Sequence, residues 1–233
     1  MATARVQTVT GDWSTGSTLT ASITATNGNL LAVSIHFIAN NSSNSFATFS
    51  DGTNTYTEID RSEAVLGGDN TGLVTGYAKN ITGGALTVTA TMNTSVIDRA
   101  RLVVEEISGC DTTAPLNVHA IQHQAAPGTG TDAVTSGAVT ASAGDYVYAA
   151  CIDFFSGSPV LAHGTGFTDG MNAAVWATEF IANFAGGSKA GTFTTSSGSL
   201  DFFTAVAMFK AAAGGGGSVL GSYYYEKVAG MIP

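Results

Sequence analysis

The side chains able to support catalysis are few, and their spacing keeps them apart. Glu105 and Glu106 are adjacent. On a strand, neighbours point to opposite faces, so the two carboxyls cannot serve one bond as acid and base. A single buried or paired glutamate is the reading their context supports. His119 and His123 lie four apart, which on a strand gives one face but a separation of ~13 Å, too far for one metal ion to bridge. Asp51, Asn54, Asp60 and Asp69 make an oxygen-rich stretch without the spacing of a known calcium loop, and turn formation accounts for Asp51 and Asn54. Serine-histidine catalysis needs its serine on a strained strand-to-helix turn. No Gly-x-Ser-x-Gly stands in that context, and the hydroxyl-rich run Gly191 to Gly198 reads as a polar strand and turn. Gly83-Gly84, Gly186-Gly187 and Gly214 to Gly217 open no helix, so none forms a phosphate cradle. Cys110 and Cys151 occupy apolar, strand-like contexts with no metal-spaced partner and read as small buried thiols, with a disulfide between them as the alternative. The residues therefore predict no catalytic centre, no metal and no cofactor.

The elements around these residues read as strands. Segments of six to twelve residues rich in Val, Ile, Thr, Tyr and Phe alternate with Gly, Asn, Asp and Ser, the pattern of an all-β sandwich or barrel. Strands are expected at residues 4–10, 18–25, 30–39, 46–50, 55–61, 72–80, 86–92, 99–107, 117–123, 133–140, 145–155, 173–184, 189–195 and 200–210. Asn27-Gly28-Asn29 and Asp51-Gly52-Thr53-Asn54 supply the positive φ of tight turns, Asp51-Gly52 being the better hairpin signal. Leu86, Val88, Ala90 and Met92 alternate with three threonines, as in a half-buried strand whose wet row of hydroxyls is also able to meet a partner. Residues 145–155 and 200–210 are apolar on both faces and are expected at the centre of the core. Residues 173–184 resemble a helix in length, but their two-residue alternation and aromatic content favour a strand.

Composition narrows the function. The chain has 233 residues and a formal charge of −9, and only 11% of its residues are charged, so Thr, Ser, Asn and Gly or neighbouring subunits must cover the surface. An isoelectric point near 4.6 without any Lys/Arg cluster repels phosphate backbones and anionic lipid, which argues against nucleic acid and membrane surfaces as partners. No stretch reaches the ~20 apolar residues of a membrane helix, and the N-terminus alternates like a strand rather than a secretion signal. A chain of this length has room for one β-sandwich or two small β-domains. Composition changes after Lys210 to Ala-Ala-Ala-Gly-Gly-Gly-Gly-Ser218. A β-sandwich domain over 1–212 and a jointed arm over 213–233 follow from that break. Tyr223, Tyr224, Tyr225, Val228, Met231 and Ile232 make the arm a candidate for docking on another chain, since tyrosines give large contact area at low entropic cost.

Several landmarks together resemble a loosely defined group of β-sandwich domains of bacteriophage and bacterial surface proteins. They are Gly28-Asn-Leu-Leu-Ala-Val-Ser-Ile35, Ser50-Asp-Gly-Thr-Asn-Thr-Tyr56, Tyr77-Ala-Lys-Asn80, Val103-Val-Glu-Glu-Ile-Ser-Gly109 and Ala205-Val-Ala-Met-Phe-Lys210. The resemblance spans most of residues 4–212, leaves the tyrosine arm unmatched and brings no catalytic residues with it. It implies an antiparallel, jelly-roll-like β-sandwich used as a structural or adhesive module. With the low charge and the apolar arm, the expectation is a non-enzymatic virion protein assembled in the host cytoplasm. Its concrete forms are a capsid decoration (cement) protein or a head or tail surface subunit. Its partners would be other copies of itself and the major capsid or another virion protein. The alternative is a carbohydrate-binding module, with Trp13, Trp176 or Tyr56 as a stacking platform for a glycan.

Overall fold

A computed structural model describes residues 1–12, 16–94, 97–125, 133–154, 161–173, 175–195 and 201–213. Among these, every regular element is a strand. The first half holds β1 (Ala4–Asp12), β2 (Thr18–Ala25), β3 (Leu30–Ala39), β4 (Phe46–Ser50), β5 (Tyr56–Leu66), β6 (Asp69–Ala78), β7 (Gly84–Met92) and β8 (Ile97–Ser108). The second holds β9 (Leu116–Ala125), β10 (Ala133–Thr135), β11 (Val139–Ala141), β12 (Tyr146–Phe154) and β13 (Leu161–His163), followed by β14 (Thr168–Ala173), β15 (Trp176–Ile181), β16 (Gly187–Lys189), β17 (Thr192–Thr195) and β18 (Asp201–Phe209).

The first half folds into a five-stranded sheet, β1-β8-β3-β6-β5, covered by a three-stranded sheet, β2-β7-β4. The chain changes sheet at every connection except β5 to β6, which gives the wrapped order of a jelly roll with β5 carried to the edge of the larger sheet. Asp51-Gly52 is therefore a turn, as expected, but not a hairpin. Gly52 has φ 76° and the Asp51 carboxylate accepts from the N–H groups of Thr53 and Asn54, while the loop carries the chain from β4 in one sheet to β5 in the other. Asn27-Gly28-Asn29 makes the same kind of crossing between β2 and β3.

The second half repeats this arrangement. Its large sheet is β9-β18-β12-β15-β14, and β10-β17-β13 with β11-β16 cover it. Strand by strand, β1, β8, β3, β6 and β5 correspond to β9, β18, β12, β15 and β14. The correspondence reaches single residues. Gly28 and Gly144 precede β3 and β12 with φ 84° and 93°, and their N–H groups donate to the carbonyls of Ile81 and Phe184 at 2.9 and 2.7 Å. Asn80 and Asn183, the two non-glycine residues with positive φ among those described (45° and 50°), follow β6 and β15. Each begins the same five-residue pattern, Asn80-Ile-Thr-Gly-Gly84 and Asn183-Phe-Ala-Gly-Gly187.

The two large sheets lie back to back, so the molecule has four β-layers and three apolar interlayers. β5 lies over β9, β6 over β18 and β3 over β12, while Arg5 of β1 and Arg101 of β8 reach β14 and β15. The order of one sheet thus runs opposite to that of the other, and an approximate two-fold axis passes between β3 and β12. Both strands are buried on both faces for this reason. Leu31, Val33, Ile35 and Phe37 enter the first interlayer and Leu30, Ala32 and Ile38 the central one. From β12, Tyr146, Tyr148, Ala150 and Ile152 enter the central layer, and Val147, Ala149 and Cys151 the third.

Three expected strands are interrupted, residues 189–195 dividing between the end of β16 and β17. Residues 133–140 divide into β10 and β11, with Gly137 at φ 83° between them. The described residues of 173–184 contain no helix; they hold the end of β14 and all of β15, and because these two strands pair antiparallel the chain reverses within the expected continuous strand. If Asn80 and Asn183 are equivalent left-handed turn residues, replacing either by Ala should lower the unfolding free energy by about 1 kcal/mol, and replacing either by Gly should cost nothing. Urea denaturation of the four variants measures both the size and the equality of the two effects.

Candidate functional site

The nearest approach to a catalytic constellation lies on the axis between the two jelly rolls. Ser34 and His36 are two apart on β3, so both face the central layer. His36 Nδ1 is 3.1 Å from the carbonyl oxygen of Cys151, which can only accept, so this nitrogen carries the proton. His36 Nε2 is then left to accept from Ser34 Oγ at 2.8 Å, and Ser34 Oγ accepts from the Tyr148 hydroxyl at 2.7 Å. A serine hydrogen-bonded to a neutral histidine is the ground state of a nucleophile with its base. Here Ser34 and His36 are fully buried and Tyr148 is 1% exposed, leaving no room for a substrate. Burial lowers the His36 pKa to about 3, with the Arg101 charge adding to it against the Cys151 hydrogen bond. The chain fixes this polar cluster by wedging it between apolar strands, and it serves as a register lock between the halves.

The buried acids behave likewise. Glu105 and Glu106 point to opposite faces as expected, and both are buried. Glu105 enters the central layer, where Tyr146 donates to it at 2.6 Å and Thr8 at 3.1 Å; burial outweighs these bonds and raises its pKa to about 7. Glu106 turns the other way, and although burial raises it, donors from Gln7, Thr26 and Asn29 hold it below its ordinary value. Glu179 accepts from the N–H groups of Gly164 and Thr192, pinning the β13–β14 turn and β17, and burial raises it to about 7. Asp153 is fully buried with no hydrogen-bond partner on either oxygen, and burial with Asp201 nearby raises it to about 7.

On the surface, the expected groups do not converge. His119 pairs with Asp60 of β5 at 2.9 Å and His123 with Asp201 at 3.2 Å, so both histidines are held by aspartates. Asp51 is occupied by its turn and by the Tyr56 hydroxyl. No group of three His, Cys, Asp or Glu side chains able to hold a metal ion occurs among the described residues. Cys110 and Cys151 are free buried thiols, with burial raising Cys110 to about 12. Trp176 packs beneath the Arg101 guanidinium beside the central layer, and Tyr56 packs on Phe49 at the first interlayer, so they form no common platform; Trp13 lies outside the described residues. The expected hydroxyl row is present: Thr87 is exposed and Thr89 and Thr91 are half-buried, and Thr20, Ser22 and Thr24 of β2 extend it.

Two shallow depressions flank β5. One of about 200 Å³ is lined by Phe46, Phe49, Tyr56 and Glu58. The other, about 340 Å³, is lined by Thr53, Asn54, Thr57, Lys79, Asn80 and Thr112. The end of the described chain is firmly held: the Lys210 N–H donates to Pro115 O, Ala211 bridges to Cys110, the Ala212 N–H donates to Gly109 O at 2.7 Å, and the Met1 amine donates to Ala212 O at 3.1 Å. Tyr223, Tyr224, Tyr225, Val228, Met231 and Ile232 lie beyond it, outside the described residues. Compared with known proteins, the chain matches no family model, no curated protein and no solved structure.

The raised acids set a pH dependence. Glu105, Asp153 and Glu179 are neutral in the fold below about pH 7 and ionised in the unfolded chain above about pH 4.5. Their contribution is therefore complete at low pH and lost as pH rises through about 7. His36 acts oppositely, its contribution being lost as pH falls from about 6.5 toward 3. Three acids outweigh one histidine, so the apparent Tm should rise by several degrees from pH 8 to pH 5. A thermal scan over that range that is flat or inverted would contradict the assignment.

Proposed function

We propose that this chain is a non-enzymatic structural protein of a phage-like virion, a capsid decoration protein or a head or tail surface subunit. It assembles in the host cytoplasm through contacts with its own copies and with the major capsid or another virion protein. The observation that carries this reading is the anchored exit of the arm. A four-layered block, with Glu105, Asp153, Glu179 and both cysteine thiols buried, holds Ala212, two residues before the arm begins, beside its own N-terminus. A block of this kind offers neighbours faces and edges, and an aromatic arm adds a fastening that the block lacks.

A second reading, a glycan-binding surface module, draws on the depression beside β5, whose Thr and Asn side chains and Lys79 offer the hydrogen-bonding groups sugars use. Size-exclusion chromatography with light scattering separates the two. The full chain should run as a trimer or larger, and deletion of 214–233 should reduce the assembly by at least one step. A full chain that stays monomeric and binds saturably to a glycan array would replace the first reading with the second.

A further inference from the structure

We propose that the depression at Asn80 binds a neutral saccharide, one hydroxyl of which takes the place that the Thr3 hydroxyl fills in the other half of the molecule. This rests on the glycan-binding reading above and gives it its contact atoms. In the second roll, Thr3 bridges the point where β12 begins and β15 ends. Its hydroxyl donates to Gly144 O at 2.9 Å and accepts from the Asn183 N–H at 2.9 Å, and the residue is 2% exposed. Gly28 and Asn80 occupy the same place in the first roll, with the same positive φ. The backbone bonds agree as well: Gly28 N–H to Ile81 O and Ile81 N–H to Asn29 O match Gly144 N–H to Phe184 O and Phe184 N–H to Asp145 O.

Strand register identifies the residue that stands where Thr3 stands. Leu30 and Tyr146, each two residues past its glycine, pair with Ile107 and Phe209. These pair in turn with Arg5 and Leu116, after which β1 and β9 each skip one residue, Val6 and Asn117. Two residues before Arg5 is Thr3, and two before Leu116 is Ala114. Ala114 is exposed and has no hydroxyl, so among the described residues no side chain bridges Asn80 N–H and Gly28 O. The depression of about 340 Å³ opens here, between Asn80 and Thr112, with Thr53, Asn54, Thr57 and Lys79 around it. Lys79 donates to Thr113 O and so ties the linker to its rim. An N–H and a C=O bridged by one atom require a group that both accepts and donates; a carboxylate cannot donate and an ammonium cannot accept, whereas a hydroxyl does both. A sugar presents several hydroxyls at once, and the threonine and asparagine side chains meet the others. No large apolar side chain lines the depression to hold a peptide instead.

Amide NMR of the full chain tests this, with Asn183 as the internal control for Asn80. Without ligand, and corrected for intrinsic rates, the Asn80 amide should exchange about ten-fold faster than that of Asn183, or more; equal protection overturns the proposal. Maltose, lactose and chitobiose are then titrated to millimolar concentration. At least one should shift the Asn80 amide saturably and leave the Asn183 amide in place, and no saturable Asn80 shift with any of the three overturns the proposal. Ala114→Thr supplies the missing hydroxyl at an exposed position. It should protect the Asn80 amide and abolish the sugar-induced shift, with Ala114→Ser as the smaller replacement; a shift that survives in both folded variants also overturns it. A sugar that binds saturably but perturbs other amides only sinks this site and leaves the glycan-binding reading standing, whereas no binding of any of the three, on a glycan array or by NMR, sinks both.

Discussion

The structure depends on the packing of β3 against β12, where the two jelly rolls meet on their common axis. Each roll alone would leave one face of a five-stranded sheet in water, including Leu30, Ala32 and Ile38 on one side and Tyr146, Tyr148 and Ile152 on the other. Covering a large aliphatic side chain such as Leu30, Ile38 or Ile152 stabilises the fold by about 1.5–3 kcal/mol, so the joined halves are favoured over either one exposed. Apolar contact is tolerant of register, however, and the Tyr148, Ser34, His36 and Cys151 chain of hydrogen bonds is not. A shift of one residue would leave a buried hydroxyl and imidazole without partners, at a cost of about 1–3 kcal/mol each.

The layered packing turns several titratable and nucleophilic groups inward, at the central interface and in the layer beyond it. Ser34, His36 and Glu105 occupy the central layer, and Asp153 and Glu179 the far side of the second large sheet. Burial shifts His36 and the three acids toward their neutral forms. Shifts of this kind often mark active sites, but in this fold each follows from burial, with local hydrogen bonds opposing it where they exist. The outside presents hydroxyl-bearing strands β2 and β7, a charged edge at β5 and a sparsely charged edge at β1.

Much of this was legible in the residues. β2, β3 and β4 fall on their expected bounds because Leu19, Ala21 and Ile23 alternate with hydroxyls and because Gly28 and Gly52 mark sharp turns. The doubly buried strands β12 and β18 were legible as apolar runs. β3 belongs with them, but Ser34 and His36 disguised it, since polar residues in a strand read as exposure until a partner strand supplies their hydrogen bonds. The duplication was written only faintly, in Asn80-Ile-Thr-Gly-Gly84 and Asn183-Phe-Ala-Gly-Gly187. Strand faces need only be apolar, so Ser34 corresponds to Ala150 and His36 to Ile152 when the halves are aligned on Gly28 and Gly144, while the left-handed Asn and the glycines after it are held by backbone geometry. The Ser34–His36 pair could have been found from its two-residue spacing; its sealing by Tyr148, more than a hundred residues away, could not.

The claim that the two rolls form one cooperative body through β3 and β12 is tested most directly by urea unfolding of two single-tryptophan variants. Trp176→Phe leaves Trp13 to report on the first half, and Trp13→Phe leaves Trp176 to report on the second. Coincident transitions, each matching the loss of β-structure by circular dichroism, are the result predicted. Two separated transitions, with one half persisting after the other has unfolded, would contradict it.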